Sequence, residues 1–290
     1  MVGHRPLKAS IGVRIPVPQH CIKCESGFDS LPGSKIFCLY ILTHRRWVFR
    51  REKVLEYKDV GRPYISMILY HTLNRGVDKR KIFLDTGDYL RGVHDLFEFN
   101  DTTPVNNLTY FFRKEYKDVG RPYIKREARK LLVKIHAFCL MPNHYHLLLS
   151  ELVKNGIPLF MKKFNGGYAK YFNEKYKRTG ALFEGRYKRV TIKNEAHFIH
   201  LPYYIHLNPL DLAAPEWRDK KLTNFTKTMR FLDSYRWSSH LDYAGKKNFP
   251  SVTQRDFLLK FFGGQEQYKR GITEWLKELS LEDVRDVALE

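Results

Sequence analysis

The stretch Ile135–Ser150, IHAFCLMPNHYHLLLS, indicates the fold because it holds two short apolar runs separated by Met141-Pro142-Asn143. The segments Val133–Leu140 and Tyr145–Leu149 are rich in apolar residues that favour β structure, so both are predicted to be strands. The sequence therefore predicts two consecutive strands at the middle of the chain.

Two histidines stand at the beginning of the second predicted strand. Because side chains alternate between the faces of a strand, His144 and His146 point to one side and Tyr145 to the other. Two imidazoles on one face form half of a metal site and leave positions for water or a phosphate oxygen. The alternative is a pair of polar residues on the solvated face of an edge strand.

The charge balance favours a polyanionic partner. The 290 residues carry a net charge of +20, with a pI near 9.7 and 14% aromatic residues, which indicates nucleic acid first and an anionic membrane second. No apolar run approaches the roughly 18 residues of a membrane span, and the N-terminus lacks the apolar segment of a signal peptide. Four cysteines, too few for a disulfide framework, favour the reducing cytoplasm. A basic protein without a nucleic-acid partner is the alternative.

Residues 1–66 form a basic extension whose order the sequence does not predict. Its CxxC motif, Cys21–Cys24, lacks a second pair, so a structural zinc site is not favoured. The decamer EYKDVGRPYI occurs at Glu56–Ile65 and again at Glu115–Ile124. Its Gly-Arg-Pro step marks a loop, so a duplicated surface loop segment is one interpretation. An upstream extension with little role in the fold is the other.

From Met67 the pattern is that of a compact domain. Besides the two strands described above, the spacing of apolar residues predicts strands at Ile68–Leu73 and within Phe183–Ile192, and helices at Asp85–Phe99, Ile157–Tyr176 and Glu195–His206. The order β-α-β-β-α-β-α predicts an α+β fold, an antiparallel sheet with helices on one face. Residues 67–210 are predicted to be the catalytic domain. Residues 211–290 are predicted to be a helical C-terminal region that contacts DNA or packs on that domain.

The last helix of the predicted domain adds a tyrosine and an amide. Tyr204 and Asn208 are four residues apart and lie on one helical face. If that face meets the histidine face of the sheet, the site holds His144, His146, Asn208 and a phenol. A divalent ion there would polarise a phosphate, which a tyrosine of ordinary pKa near 10 needs in order to attack it.

Four blocks of this chain together resemble the HUH single-tyrosine transposases. Within them the chain is most similar to the insertion-sequence-200-like group and its REP-associated branch. The resemblance covers about Met67 to Pro209, and RWSS at Arg236–Ser239 more weakly. The blocks are YHTLNRG at Tyr70–Gly76, MPNHYHLLLS at Met141–Ser150, GALFEGRYK at Gly180–Lys188 and YYIHLNP at Tyr203–Pro209.

The resemblance implies a ferredoxin-like sheet and an enzyme that nicks single-stranded DNA beside a hairpin. It implies a 5′-phosphotyrosine, a free 3′-OH and Mg²⁺ or Mn²⁺ as cofactor. Carried over by motif, His144 and His146 are metal ligands, Tyr204 is the nucleophile and Asn208 is the third ligand. The family implies a monomer or a homodimer in the cytoplasm, associated with the nucleoid.

Other tyrosines and histidines are less favoured for the site. Tyr203 points about 100° away from Tyr204 around the helix, while Tyr168 and Tyr171 are predicted to pack on the sheet. Four further histidines are interpreted: His200 and His206 as flanking polar residues of the last helix, and His71 and His136 as sheet residues.

Basic residues predict where DNA binds. Arg186, Lys188 and Arg189 surround Tyr187 in a predicted strand, a pattern that suits phosphate neutralisation and base stacking on single strands. Further predicted contacts are Arg75, Lys162 and Lys163. Each of these six side chains has an alternative as a solvated surface charge.

Two functions remain as alternatives to the transposase. One is a replication-initiator or relaxase-type HUH nuclease, although these usually carry a third histidine or paired tyrosines. The other is a domesticated hairpin-binding protein that no longer cleaves DNA. Such a protein has no need of an intact set of His144, His146 and Tyr204.

Overall fold

The computed structural model describes residues 46–49, 55–58, 65–103, 128–193, 195–219, 221–278 and 288. The chain divides into two compact units, Met1–Arg46 and Trp47–Glu290. The predictions for the CxxC motif, for the order of residues 1–45 and for the second decamer lie outside the described residues. The account below concerns the second unit.

Three short strands come first in the described part of the chain. Strands β1 (Arg46–Phe49), β2 (Leu55–Lys58) and β3 (Ile65–Met67) form a sheet in that order. Strand β2 pairs with β3 antiparallel, with Tyr57 opposite Ile65. The first decamer therefore begins in one strand and ends in the next, while its Gly-Arg-Pro step lies outside the described residues.

A four-stranded antiparallel sheet is the centre of the fold. Its strands are ordered β5-β6-β4-β7, and each neighbouring pair is antiparallel. The chain order is β-α-β-β-α-β with β6 inserted between β4 and β5, which is the ferredoxin-like arrangement. The predicted α+β class is confirmed. The elements are β4 (Tyr70–Arg75), a 3₁₀ turn at Val77–Lys79, α1 (Thr86–Glu98), β5 (Val133–Met141), β6 (His144–Glu151), α2 (Gly156–Lys175) and β7 (Lys188–Thr191).

The turn between β5 and β6 is fixed by neighbouring loops. Met141 lies opposite His144, so Pro142 and Asn143 alone form the turn. The Pro142 carbonyl accepts hydrogen bonds from two loop amides at 2.7 and 3.1 Å, and the Asn143 carbonyl accepts one from Gly76 at 2.8 Å. A Cβ on Gly76 would lie 2.3 Å from the Arg80 carbonyl oxygen, so this approach requires glycine. The start of the histidine strand is thereby held in place.

Helices cover both faces of the sheet. Helices α1 and α2 pack against the face that presents Tyr145, Leu147 and Leu149. The histidine face presents Cys139 and Leu148, and it packs against the third helix and the C-terminal region. These elements are α3 (Glu195–Leu207), 3₁₀ turns at Asn208–Leu212 and Pro215–Asp219, α4 (Phe225–Ser234), α5 (His240–Tyr243), α6 (Asp256–Phe262) and α7 (Gln265–Glu278).

The prediction of helices on one face thus holds for α1 and α2 but not for α3. The reason is that the histidine face also carries apolar side chains, Cys139 and Leu148 among them, and apolar surface is stable only when covered. Strands β5 and β6 are accordingly buried along nearly their whole length. The C-terminal region supplies the cover, and Trp237 and Ser239 extend the sheet edge through backbone bonds to β5. In the helices of the described ranges, none is long and apolar enough to cross a membrane.

Candidate active site

The register of the sheet places Arg75 beside His144. The two residues lie directly opposite each other on β4 and β6, and Leu73 lies opposite His146. Directly opposed residues of an antiparallel pair point to the same face, so Arg75 and both histidines share one face. The two histidine rings have centroids 4.9 Å apart and planes at 83°. The predicted histidine pair is therefore compact and adjoins a cation.

His71 positions the ring of His146. His71 Nε2 and His146 Nδ1 are 2.9 Å apart, and the rings stack at 5.1 Å. Desolvation by burial, and then the charges of Arg218 and Arg75, lower the pKa of His146 to about 3. The ring is therefore neutral at physiological pH. Since Nδ1 is engaged with His71, Nε2 is the ring nitrogen on which a metal ion would bind.

His144 is oriented by its neighbour in the turn. Its Nδ1 lies 2.6 Å from the side-chain oxygen of Asn143. Because an amide oxygen only accepts hydrogen bonds, Nδ1 carries the proton and Nε2 carries the lone pair. Both histidines thus present the same nitrogen as a candidate ligand, and Asn143 and His71 act as the groups that hold them.

Helix α3 brings Tyr204 to the histidines within the same chain. The Tyr204 ring packs edge-on against His146, with centroids 5.9 Å apart and planes at 89°. Trp217 and Arg218 cover the ring, with the guanidinium carbon 5.6 Å from its centroid, and Tyr204 is fully buried. Its neighbour Tyr203 points elsewhere and stacks on Tyr268. Of these two tyrosines, only Tyr204 faces the histidine pair.

The Asn208 side chain is occupied by protein groups. Its amide nitrogen donates to the Tyr204 carbonyl at 2.9 Å, and its oxygen accepts from Arg218 Nη2 at 3.3 Å. Arg218 also forms a forked pair with Asp211, at 2.8 and 2.6 Å. The oxygen that the sequence assigned to a metal therefore contacts a guanidinium. Among the described residues, no group of three or more His, Cys, Asp and Glu residues could hold a metal ion.

The two basic residues nearest the histidines differ in burial. Arg75 is half-buried, and within the described part of the chain its buried Nε makes no hydrogen bond. Lys188 is exposed and lies opposite Leu73, so it is on the histidine face. Because His146 lies opposite Leu73 from the other side, Lys188 and His146 are two strand spacings apart, about 10 Å. Both positions suit contact with a DNA strand that lies along this face.

The other predicted DNA contacts lie further away. Arg186 is exposed in the loop before β7, and Arg189 points to the opposite face, where its guanidinium carbon lies 4.9 Å from the Tyr70 ring centroid. Lys162 is exposed on α2, the helix on the opposite face. Lys163, next to it, donates to the backbone oxygens of Asp101 and Thr103, the latter at 2.8 Å. The structure thus uses Lys163 to hold the turn after α1.

The other histidines of α3 have structural roles. His206, interpreted from the sequence as a flanking polar residue, is fully buried, and this interpretation is wrong. Its ring nitrogens lie 2.7 Å from Ser239 Oγ and 2.8 Å from the Tyr268 hydroxyl. His200 accepts a hydrogen bond from the Trp275 indole at 3.2 Å. Both residues tie α3 to the C-terminal helices, and neither is assigned to the site.

One family model matches the segment that carries this site. Residues 103–208 match the family model described as "Transposase IS200 like". This segment contains both histidines, Tyr204 and Asn208, so the matched part of the chain is similar to that family at the residues of the site. No curated protein matches the chain.

Two solved structures are similar to the chain at low identity. One is described as "Structure of the REP associates tyrosine transposase bound to a REP hairpin". It is 14% identical, covers 69% of this chain and 92% of that chain, and has a TM-score of 0.36. The other is described as a putative transposase from Deinococcus radiodurans R1. It is 19% identical over 50% of this chain and 93% of that chain, with a TM-score of 0.29.

Proposed function

We propose that this protein is a divalent-metal-dependent transposase that nicks and rejoins single-stranded DNA through a covalent bond to Tyr204. The observation that carries the proposal is the contact of Tyr204 with His146 in one chain, beside His144. A phenol next to two imidazoles on a basic face suits a nucleophile that would attack a phosphodiester, and a divalent ion held by the imidazoles would polarise that phosphodiester. The match of residues 103–208 to the IS200-like transposase model supports the same chemistry.

The donor set fits a divalent cation. The Nε2 atoms of His144 and His146 would hold it, because each Nδ1 is already engaged by Asn143 or His71. Two imidazole nitrogens favour Mn²⁺ over Mg²⁺, which prefers oxygen ligands. Asn208 would add its oxygen only after Arg218 releases it. When bound, the ion polarises a phosphate oxygen and so favours attack on phosphorus.

The proposed reaction conserves the phosphodiester bond energy. The Tyr204 oxygen loses its proton to solvent and bonds to phosphorus. The bond from phosphorus to the 3′ oxygen then breaks, and that oxygen takes up a proton to become a 3′-OH. The 5′ end remains on Tyr204 as a phosphotyrosine, and a 3′-OH reverses the step to rejoin DNA. Arg75 neutralises the phosphate, because it lies beside His144 on the same face.

The proposed substrate is a single-stranded hairpin of the inverted-repeat or REP type, as the motif resemblance implies. Lys188 and Arg186 would contact its backbone at the β7 edge, and such contacts are electrostatic and salt-dependent. Because one chain holds both His146 and Tyr204, a monomer has the complete set of groups. The reaction is proposed to take place on chromosomal DNA at the nucleoid.

A non-cleaving hairpin-binding protein is the second candidate function. The specific observation in its favour is that Tyr204 is fully buried beneath Trp217 and Arg218, while the Asn208 oxygen contacts Arg218. The phenol is therefore not exposed to solvent in this arrangement. A protein that only binds hairpins through its basic face does not need an accessible phenol.

The experiment that separates these candidates is a covalent-adduct assay. Labelled single-stranded hairpins from the flanks of the gene are incubated with the protein and Mn²⁺, then separated under denaturing conditions. We expect an adduct with the wild type and with Tyr203→Phe, and none with Tyr204→Phe or with EDTA. Hairpin binding without an adduct in the wild type would reject the transposase and support the binding protein.

A further inference from the structure

Arg218 lies over the proposed nucleophile but belongs to none of the motifs in the chain. It lies in the 3₁₀ turn Pro215–Asp219, and its guanidinium carbon is 5.6 Å from the Tyr204 ring centroid. The Arg218 side chain is 26% exposed, whereas Tyr204 is fully buried. Arg218 is therefore partly open to solvent, whereas the ring that it covers is not.

Asp211 holds the guanidinium in a fixed orientation. The carboxylate accepts from Nε at 2.8 Å and from Nη2 at 2.6 Å, and it also accepts from the Trp217 indole at 2.7 Å. This fork engages one edge of the planar group, so the edge that bears Nη1 faces away from Asp211. A planar, permanently charged and weakly hydrated fork suits a phosphate oxygen.

The charge of Arg218 reaches the candidate metal ligands. Its Nη2 contacts the Asn208 oxygen at 3.3 Å. A guanidinium and a divalent cation repel each other, and both cannot take the same amide oxygen without a large electrostatic cost. The contact of Arg218 with the Asn208 oxygen therefore opposes cation binding at that oxygen and favours an anion beside it.

We propose that Arg218 is a further catalytic residue, which holds Asn208 in the metal-free protein and binds a non-bridging oxygen of the scissile phosphodiester when Asn208 turns to a divalent ion. This inference rests on the proposed function. The contact exchanges one partner of Arg218 for another and involves no covalent change. Asp211 keeps the guanidinium over Tyr204 in both states, and the phosphate charge offsets the repulsion between the two cations.

The test measures Mn²⁺ binding to the DNA-free protein by calorimetry, and adduct formation separately at saturating Mn²⁺. Arg218→Ala should bind Mn²⁺ roughly tenfold more tightly, because a competing charge is removed. The same variant should form the adduct at least about 100-fold more slowly, because the phosphate loses its contact. Arg218→Lys, which keeps the charge, should bind Mn²⁺ as the wild type does.

Two control variants separate this role from structural effects. Arg218→Ala also exposes the Asp211 carboxylate, so the double variant with Asp211→Asn must still bind Mn²⁺ more tightly than the wild type. Arg230→Ala, an exposed arginine on α4, should change neither measurement. All variants are compared only after circular dichroism shows the same fold.

The outcomes distinguish the inference from the function on which it rests. Unchanged or weaker Mn²⁺ binding by folded Arg218→Ala, or an unchanged adduct rate, would overturn the role of Arg218 while a wild-type adduct upheld the transposase. A wild type that neither binds Mn²⁺ nor forms an adduct would overturn both.

Discussion

At the scale of single residues, the contact between His71 and His146 is the clearest case of a group that acts through another. His71 occupies Nδ1 of His146 at 2.9 Å and stacks on its ring, and both side chains are fully buried. Partners of this kind fix the tautomer and the direction of a metal-binding imidazole. His71 is therefore a positioning residue in this account.

Replacing His71 tests that role. His71→Phe keeps an aromatic ring against His146 but removes the nitrogen, so Mn²⁺ affinity should fall about 10- to 100-fold, measured by calorimetry without DNA. His136→Gln is the control. His136 is equally buried, but it lies in β5, on the other side of β6, and contacts Ser150 instead of His146. Equal Mn²⁺ affinity for His71→Phe and wild type would contradict the positioning role.

His144, His146 and Tyr204 could be identified from the sequence. Each stands in a motif, and the periodicity of the strand or helix predicts the face to which its side chain points. His71 stands in the YHTLNRG motif, yet its contact with His146 depends on the register between two strands 75 residues apart. The contact of Arg218 with Asn208 depends on two consecutive 3₁₀ turns, which carry no periodic signal. These contacts could not be predicted from local patterns.

At the scale of elements, helix boundaries were predicted closely wherever apolar residues recur at helical spacing. Helix α2 runs through Gly166-Gly167, although glycine has a low helix propensity. A Cβ at Gly167 would lie 2.3 Å from the Phe99 ring, so this glycine permits close packing. Within Phe183–Ile192, where the sequence predicts a loop and a strand, strand β7 occupies Lys188–Thr191 and Gly185, with its positive φ, lies in the loop.

Strand β7 offers a matched pair of charges on its two faces. Lys188 lies on the histidine face, and Arg189 lies on the other. Lys188→Ala should weaken single-stranded DNA binding. It should also reduce the slope of log affinity against log salt concentration by about the value of one phosphate contact, whereas Arg189→Ala should have a smaller effect. Fluorescence anisotropy at several salt concentrations measures both. A larger effect of Arg189→Ala would place the DNA on the opposite face.

At the scale of the whole molecule, Tyr204 and His146 belong to one chain, so the account predicts that a site is complete without a second subunit. Tyr204→Phe retains both histidines, and His146→Ala retains the tyrosine. A mixture of the two inactive proteins should therefore form no DNA adduct in the denaturing-gel assay. Recovery of the adduct in the mixture would mean that tyrosine and histidines act across two chains.

Buried histidines should also make the protein sensitive to acid. Desolvation, and then the charge of Lys134, lower the pKa of His136 to about 3, while burial also lowers the pKa of His240. Unfolding returns such a side chain to a pKa near 6.5, so the unfolded state binds more protons below that pH. Each histidine that remains neutral in the folded state should reduce the free energy of unfolding by about 1.4 kcal/mol per pH unit below 6.5.

Urea unfolding at pH 7.5 and pH 5.5 measures that dependence. His136→Gln removes one titrating group, so its free energy of unfolding should fall less steeply than that of the wild type as the pH is lowered. The difference in slope should correspond to the uptake of about one proton on unfolding. A wild type whose stability is the same at both pH values would contradict the neutral, buried state of these histidines.

Locating the adduct on the chain shows whether Tyr204 forms the bond to DNA. Protein incubated with Mn²⁺ and hairpin DNA is digested with nuclease and protease, and the modified peptide is sequenced by mass spectrometry. The account predicts a phosphodeoxynucleotide on Tyr204. A nucleotide on Tyr203, Tyr168 or Tyr171 instead, or on no tyrosine at all, would contradict it.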